Sequence, residues 1–206
     1  MHTNGQTLRV FRSNKSPPDC RLVQAPVELH ISLSEQRLAL LSGDGRGRIY
    51  PVSTALNGPG ERNGSGCTPR GLHRVRLKIG EGAAPGTVFR ARRPTGEIYS
   101  PELAAQYPER DWILTRILWL SGLEPGRNRG GQRDTLRRFI YIHGCPDTEP
   151  MGEPHSHGCI RMHDADLIDL FARTPKGALV RILTDPLSPD ILSSVMVPPT
   201  IAPAAG

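Results

Sequence analysis

Long apolar runs are missing from this chain. No stretch approaches the ~18 consecutive apolar residues of a membrane-spanning helix. The opening residues, MHTNGQTLRVFRSNKSPPDC, hold no apolar segment of the length a secretory signal needs. No signal is therefore read, and Cys20, with no apolar segment before it, is not read as a lipid anchor. Aromatics are scarce, at 5% of the residues. They are not interleaved with the basic residues as on a base-stacking surface, so nucleic acid is not an expected partner. Paired cysteines are missing too. Cys20, Cys67, Cys145 and Cys159 show no paired CxxC spacing. Free thiols fit a reducing compartment better than an oxidising one.

The 206 residues suit one domain with a proper core. Its 22 glycines and 20 prolines, about a fifth of the chain, favour short strands and turns over a helical bundle. The formal charge of +6 serves solubility or attraction to an anionic partner.

Residues 1–24 are polar and basic and read as a flexible arm, 25–185 as the folded domain, and 186–206, rich in Pro, Ser and Ala, as a flexible tail. Val27–Ile31 alternates as a strand, with His30 structural. Arg37–Leu41 is the next strand, and 48–54 pairs back as a hairpin partner, with Pro51 suggesting an edge or a bulge. Residues 57–71 form a long Gly/Asn/Pro loop. Leu72–Ile79 is a strand with Arg74, Arg76 and Lys78 on one face, either a solvated face or a contact for acidic groups. Residues 80–108 read as loops around a short strand at Val88-Phe89. Residues 111–123 are apolar enough to be buried, as helix or as strand, and 124–135 reads as a flap or connector. The helix expected after Met162 has Asp164 as its N-cap and Leu167, Ile168, Leu170 and Phe171 on one face. Pro175-Lys176-Gly177 ends it, and Ala178–Leu183 is the last strand.

One stretch carries chemistry. Residues 140–162 read IYIHGCPDTEPMGEPHSHGCIRM. A strand over 139–142 stops at His143-Gly144. A Pro/Gly/Asp-rich loop follows, then Ser156-His157-Gly158-Cys159-Ile160-Arg161-Met162. Imidazoles and a thiol at the two ends of one loop are what an activated cysteine nucleophile needs, because the thiolate is the reactive form. Gly144 and Gly158 permit close backbone approach, so peptide N–H groups can face a developing oxyanion. Zinc is the rival reading of His143, Cys145, His155, His157, Cys159 and His163. However, His-x-Cys spacings are tighter than the usual C-x₂₋₄-C or H-x₃₋₅-H pairs. No metal or cofactor is expected.

The strand-His-Gly and Ser-His-Gly-Cys-Ile-Arg-Met segments together resemble the active-site signature of the L,D-transpeptidase catalytic domain family (YkuD-type). Tyr50-Pro51-Val52-Ser53-Thr54, Thr68-Pro69-Arg70-Gly71 and Trp119-Leu120-Ser121-Gly122-Leu123 resemble further family segments, over about 27–182. The resemblance implies a mainly β fold, a barrel-like sandwich with one flanking helix, and argues for strand rather than helix at 111–123. It makes Cys159 the nucleophile and His143 the base, its ring oriented by a carbonyl at Gly144 or Cys145. His157 would shape the loop, and Gly158 and Cys159 would supply oxyanion N–H groups. Arg161 would clamp a substrate carboxylate or form a structural ion pair, and Ser156 would bind substrate. Cys145 stands where relatives usually carry Thr. It either packs or pairs with Cys159 on oxidation. His155 has no clear role.

The implied substrate is the peptidoglycan stem peptide, cut before its terminal D-Ala through an acyl-enzyme on Cys159. Resolution by an amine gives 3→3 cross-links. Resolution by water makes the protein an L,D-carboxypeptidase acting on muropeptides. The resemblance also implies acylation by carbapenems. A monomer is expected. The compartment expected from the sequence is the cytoplasm, whereas most of the family works in the cell envelope. A non-catalytic wall-binding module is the remaining alternative.

Overall fold

A computed structural model describes residues 26–43 and 47–195. The expected N-terminal arm, Cys20 and residues 196–206 lie outside the described residues. Ten strands run in chain order as β1 (Glu28–Ser32), β2 (Arg37–Leu41), β3 (Gly47–Pro51), β4 (Gly71–Ile79), β5 (Thr87–Arg90), β6 (Arg93–Ile98), β7 (Ile113–Gly122), β8 (Tyr141–Gly144), β9 (Ile160–Met162) and β10 (Leu179–Leu183). Three helices join them: α1 (Pro101–Gln106), α2 (Asp164–Arg173) and α3 (Pro189–Ser193). The strands form one curled mixed sheet, ordered β3-β2-β1-β10-β4-β7-β5-β6, with β8 against β7 and β9 against β8. The fold is mainly β, as the sequence implies, with 38% strand and 14% helix among the described residues. β3 lies at an edge, where Pro51 removes no interior ladder bond.

The two-residue period of a strand sorts the sheet's faces. Leu118 and Leu120 of β7, Ile140 and Ile142 at β8, and Ile160 and Met162 of β9 enter the main core, where Leu167, Leu170 and Phe171 of α2 cover them. The intervening residues Ile117, Trp119 and Tyr141 form a second cluster on the other face, with Cys159 packed against it. The residues that belong to the chemistry therefore share the face opposite α2.

Several elements depart from expectation. β6 and α1 form within 80–108 where loops were expected, while β5 covers the strand expected at Val88-Phe89 and 113–122 is one strand, as the resemblance implies. The strand expected from Phe139 begins at Tyr141, because Phe139 turns out at φ 58°. A bulge between Val75 and Leu77 interrupts β4 and spoils its expected alternation, so that Leu77 is exposed. Lys78 is not on an open basic face. Its Nζ donates to Phe171 O (2.7 Å) and lies 4.2 Å from that ring's centre, at the negative end of α2. His163, not Asp164, is the N-cap of α2, and its side chain makes no capping bond. Leu187, Ile191 and Val195 pack with Ala39, Leu41 and Ile49. The folded unit thus runs past the expected boundary at 185.

β4 pairs with Ile117–Gly122 of β7, and β5 takes over the same strand at Ile113-Leu114. The β5–β6 hairpin turns at Ala91 (φ 48°) and Arg92 (φ 67°). Two-residue hairpin loops commonly need positive φ at both positions, which suits Gly or Asn. With these side chains it costs about 1–2 kcal/mol per residue.

Candidate active site

β8 and β9 run parallel, with Ile142 opposite Ile160, His143 opposite Arg161 and Gly144 opposite Met162. This pairing brings the two ends of the chemical stretch together. Cys159 comes level with Tyr141, one step before the ladder. Its Sγ accepts from Tyr141 N (3.4 Å) and donates to Phe139 O (3.4 Å). The positive φ of Phe139 turns the chain just before that contact. The Tyr141 N–H, which no sequence pattern singles out, is thus aimed at the sulfur.

His143 is buried, and its Nδ1 lies 2.8 Å from Gly144 O. A carbonyl only accepts, so Nδ1 carries the proton and Nε2 keeps its lone pair. The orienting carbonyl is that of Gly144, one of the two expected. A side chain at Gly144 would collide with Leu114 O and the Asp164 carboxylate, so only glycine fits. Burial, above all, pushes the Cys159 thiol up to about 12, and the Tyr141 N–H counteracts this in part. Burial likewise lowers the His143 imidazole below its usual range. Both shifts favour the uncharged forms, a thiol at Cys159 and an imidazole at His143.

Two expected roles change, at Ser156 and Gly158, and Arg161 and Cys145 each take one of two expected alternatives. Ser156 is buried, and its hydroxyl donates to Cys159 O (2.6 Å) while accepting from Gly158 N (3.2 Å). It braces the nucleophile's turn instead of facing substrate. The same bond occupies the Gly158 N–H, which is therefore not an open oxyanion donor. Gly158 itself adopts φ 133°, a conformation that favours glycine. Arg161 is buried, and its two terminal nitrogens bond Asp111 (2.7 Å) and Glu149 (2.8 Å). It forms the structural ion pair, not the carboxylate clamp. Cys145 is buried and donates to Met162 O (3.4 Å). The register places it four residues along from the level of Cys159, about 13 Å at the rise of a strand. That is beyond disulfide reach.

His157 is exposed and borders a cleft of about 320 Å³ with Asp111, Glu149, His155 and Arg161. His155 pairs with Glu149 (3.0 Å). Two further residues, not assigned a role from the sequence, buttress the site. Thr68, fully buried, donates to Gly158 O (3.0 Å) and accepts from Ala55 N (3.0 Å). Arg138 donates to Gly60 O (3.0 Å) and Cys67 O (2.6 Å), tying loop 57–71 beside the nucleophile. The 124–135 connector is anchored by buried Asn128, whose Nδ2 reaches Arg70 O (3.0 Å) and Leu72 O (3.2 Å). Among the described residues, no group of three His, Cys, Asp or Glu side chains is arranged to hold a metal.

No curated protein matches the sequence. Among solved structures, an L,D-transpeptidase from Mycobacterium smegmatis is similar at 18% identity and TM-score 0.48, over 77% of this chain and 59% of that one. An L,D-transpeptidase from Xylanimonas cellulosilytica is similar at 21% identity and TM-score 0.42, over 78% and 61%. L,D-transpeptidase 3 from Mycobacterium tuberculosis is similar at 17% identity and TM-score 0.48, over 77% and 61%. This chain thus spans 59–61% of the length of these solved chains. The model of the YkuD family, the L,D-transpeptidase catalytic domain, matches residues 26–182, and the chain belongs to that family.

Proposed function

We propose that the protein is a cysteine-dependent L,D-transpeptidase acting on peptidoglycan stem peptides. One observation carries this reading most. The Cys159 sulfur lies between a backbone donor and a backbone acceptor, on the strand pair that also presents His143 with Nε2 unprotonated. His143 takes the thiol proton as Cys159 attacks the carbonyl preceding the terminal D-Ala. The Tyr141 N–H stabilises the sulfur as its proton leaves, and the Cys159 N–H supports the oxyanion. Such an oxyanion donor is typically worth ~3 kcal/mol in the transition state. The proton then passes to the leaving amine, and D-Ala departs. Attack by the side-chain amine of a second stem releases Cys159 and forms a 3→3 cross-link, whereas water gives a tripeptide.

Mass spectrometry of products from a disaccharide-tetrapeptide tests this. Wild type is expected to give a dimer lacking one D-Ala, and Cys159→Ala none. Tripeptide alone would make the protein an L,D-carboxypeptidase. Absence of any Cys159-dependent product would remove the catalytic reading.

A further inference from the structure

A peptide that expels its last residue carries a carboxylate on that residue, close to the scissile carbonyl. Arg161, the sequence's candidate to receive it, is buried and neutralised by Asp111 and Glu149. Arg138, the next guanidinium near the sulfur, is committed to Gly60 O, Cys67 O and Ser65 Oγ. Arg92 is different. Its guanidinium carbon lies 4.6 Å from the Trp119 ring centre and 4.9 Å from that of Phe139. Among the described residues its one side-chain hydrogen bond is to Tyr141 Oη (3.4 Å), and no carboxylate pairs with it. A guanidinium lying over aromatic faces keeps its in-plane N–H edge available to a planar anion.

The same side chain is close to the chemistry. Tyr141 bonds the Cys159 sulfur through its backbone N–H and Arg92 through its hydroxyl. Phe139 accepts from that sulfur through its carbonyl and lies under Arg92 through its ring. Arg92 thus contacts both of the residues that hold the sulfur. The hairpin that carries it holds two non-glycine residues at positive φ. Such conformations concentrate where a side chain is needed in a set place.

We propose that Arg92 receives the carboxylate of the leaving residue and so determines specificity for peptides ending in a free acid. The proposal rests on the transpeptidase reading and deepens it. Tetrapeptides ending in D-Ala acid and D-Ala amide are the probes. Wild type is expected to favour the acid by about ten- to a hundredfold in kcat/KM, the range of one charge-assisted hydrogen-bonded contact. In Arg92→Gln the ratio falls to about one, mainly through KM for the acid, and Arg92→Lys recovers part of it. A wild-type ratio of one, or an unchanged ratio in Arg92→Gln, overturns the proposal. Calorimetric binding of both peptides to Cys159→Ala, with and without Arg92→Gln, separates the two readings. If acid preference is seen in binding and lost with Arg92→Gln, the receptor stands even where wild type turns over neither peptide. In that case only the catalytic assignment falls. Equal binding of acid and amide to Cys159→Ala sinks the receptor independently of turnover.

Discussion

Arg161 and Arg92 carry the same guanidinium to opposite ends of the β8–β9 region, and their surroundings give it opposite work. Arg161 is 6% exposed and held by two carboxylates. Arg92 is half-buried over Trp119 and Phe139 and faces no carboxylate among the described residues. One end of the site is thus a satisfied frame and the other a receptive edge. Residue type did not separate them; burial and partners did.

The largest expected effect comes from breaking the frame. Arg161→Met leaves Asp111 and Glu149 without their cation and should cost about 3 kcal/mol. Arg92→Ala should cost about 1 kcal/mol, the worth of its contacts over the rings. Urea unfolding of both variants measures the difference, and equal losses would erase the contrast between frame and edge.

The frame should also be the acid-sensitive part. His73 is fully buried between Gly71 O (3.0 Å) and Thr135 Oγ1 (3.1 Å), and burial pushes it down to about 4. Between pH 6.5 and 4 the unfolded chain holds a proton that the folded chain does not. Stability is therefore full above pH 6.5 and falls as pH drops through that window, by about 3 kcal/mol. His143, shifted in the same direction, adds to the loss. Unfolding followed across this range should show the slope, and His73→Gln should flatten it.

The receptive edge has a smaller, opposite signature. Ala91→Gly relieves a positive φ at the hairpin tip and should stabilise by about 1 kcal/mol, read as a raised Tm. A lowered Tm would mean that the tip is not strained. The smallest effect is an expected zero. Mild oxidation should produce no Cys145–Cys159 disulfide, because the register holds these thiols apart. A peptide map showing that bridge would contradict the strand pairing.

Much of this was legible in order along the chain. Alternation marked β1, an apolar run marked β2, the apolar spacing of Leu167, Leu170 and Phe171 marked α2, and the His-Gly and Ser-His-Gly-Cys segments marked the site. Local signals fell short where long-range pairing decided. Apolar content left 113–122 open between helix and strand, and pairing with β4, β5 and β8 made it a strand. Asp164 is a good N-cap by type, but His163 takes that position because it follows β9 directly.

The sequence by itself determined the mainly β character, the helix after Met162, and the residues from which the chemistry is drawn. It could do so because side-chain periodicity and turn chemistry are local. Only the tertiary structure decided what each polar group is free to do. Ser156, Gly158 and Arg161 found partners that occupy them, Arg92 was left with an open edge, and the Tyr141 N–H was turned toward sulfur. Those outcomes depend on desolvation and on partners up to fifty residues away, such as Asp111 for Arg161, and no local pattern encodes them.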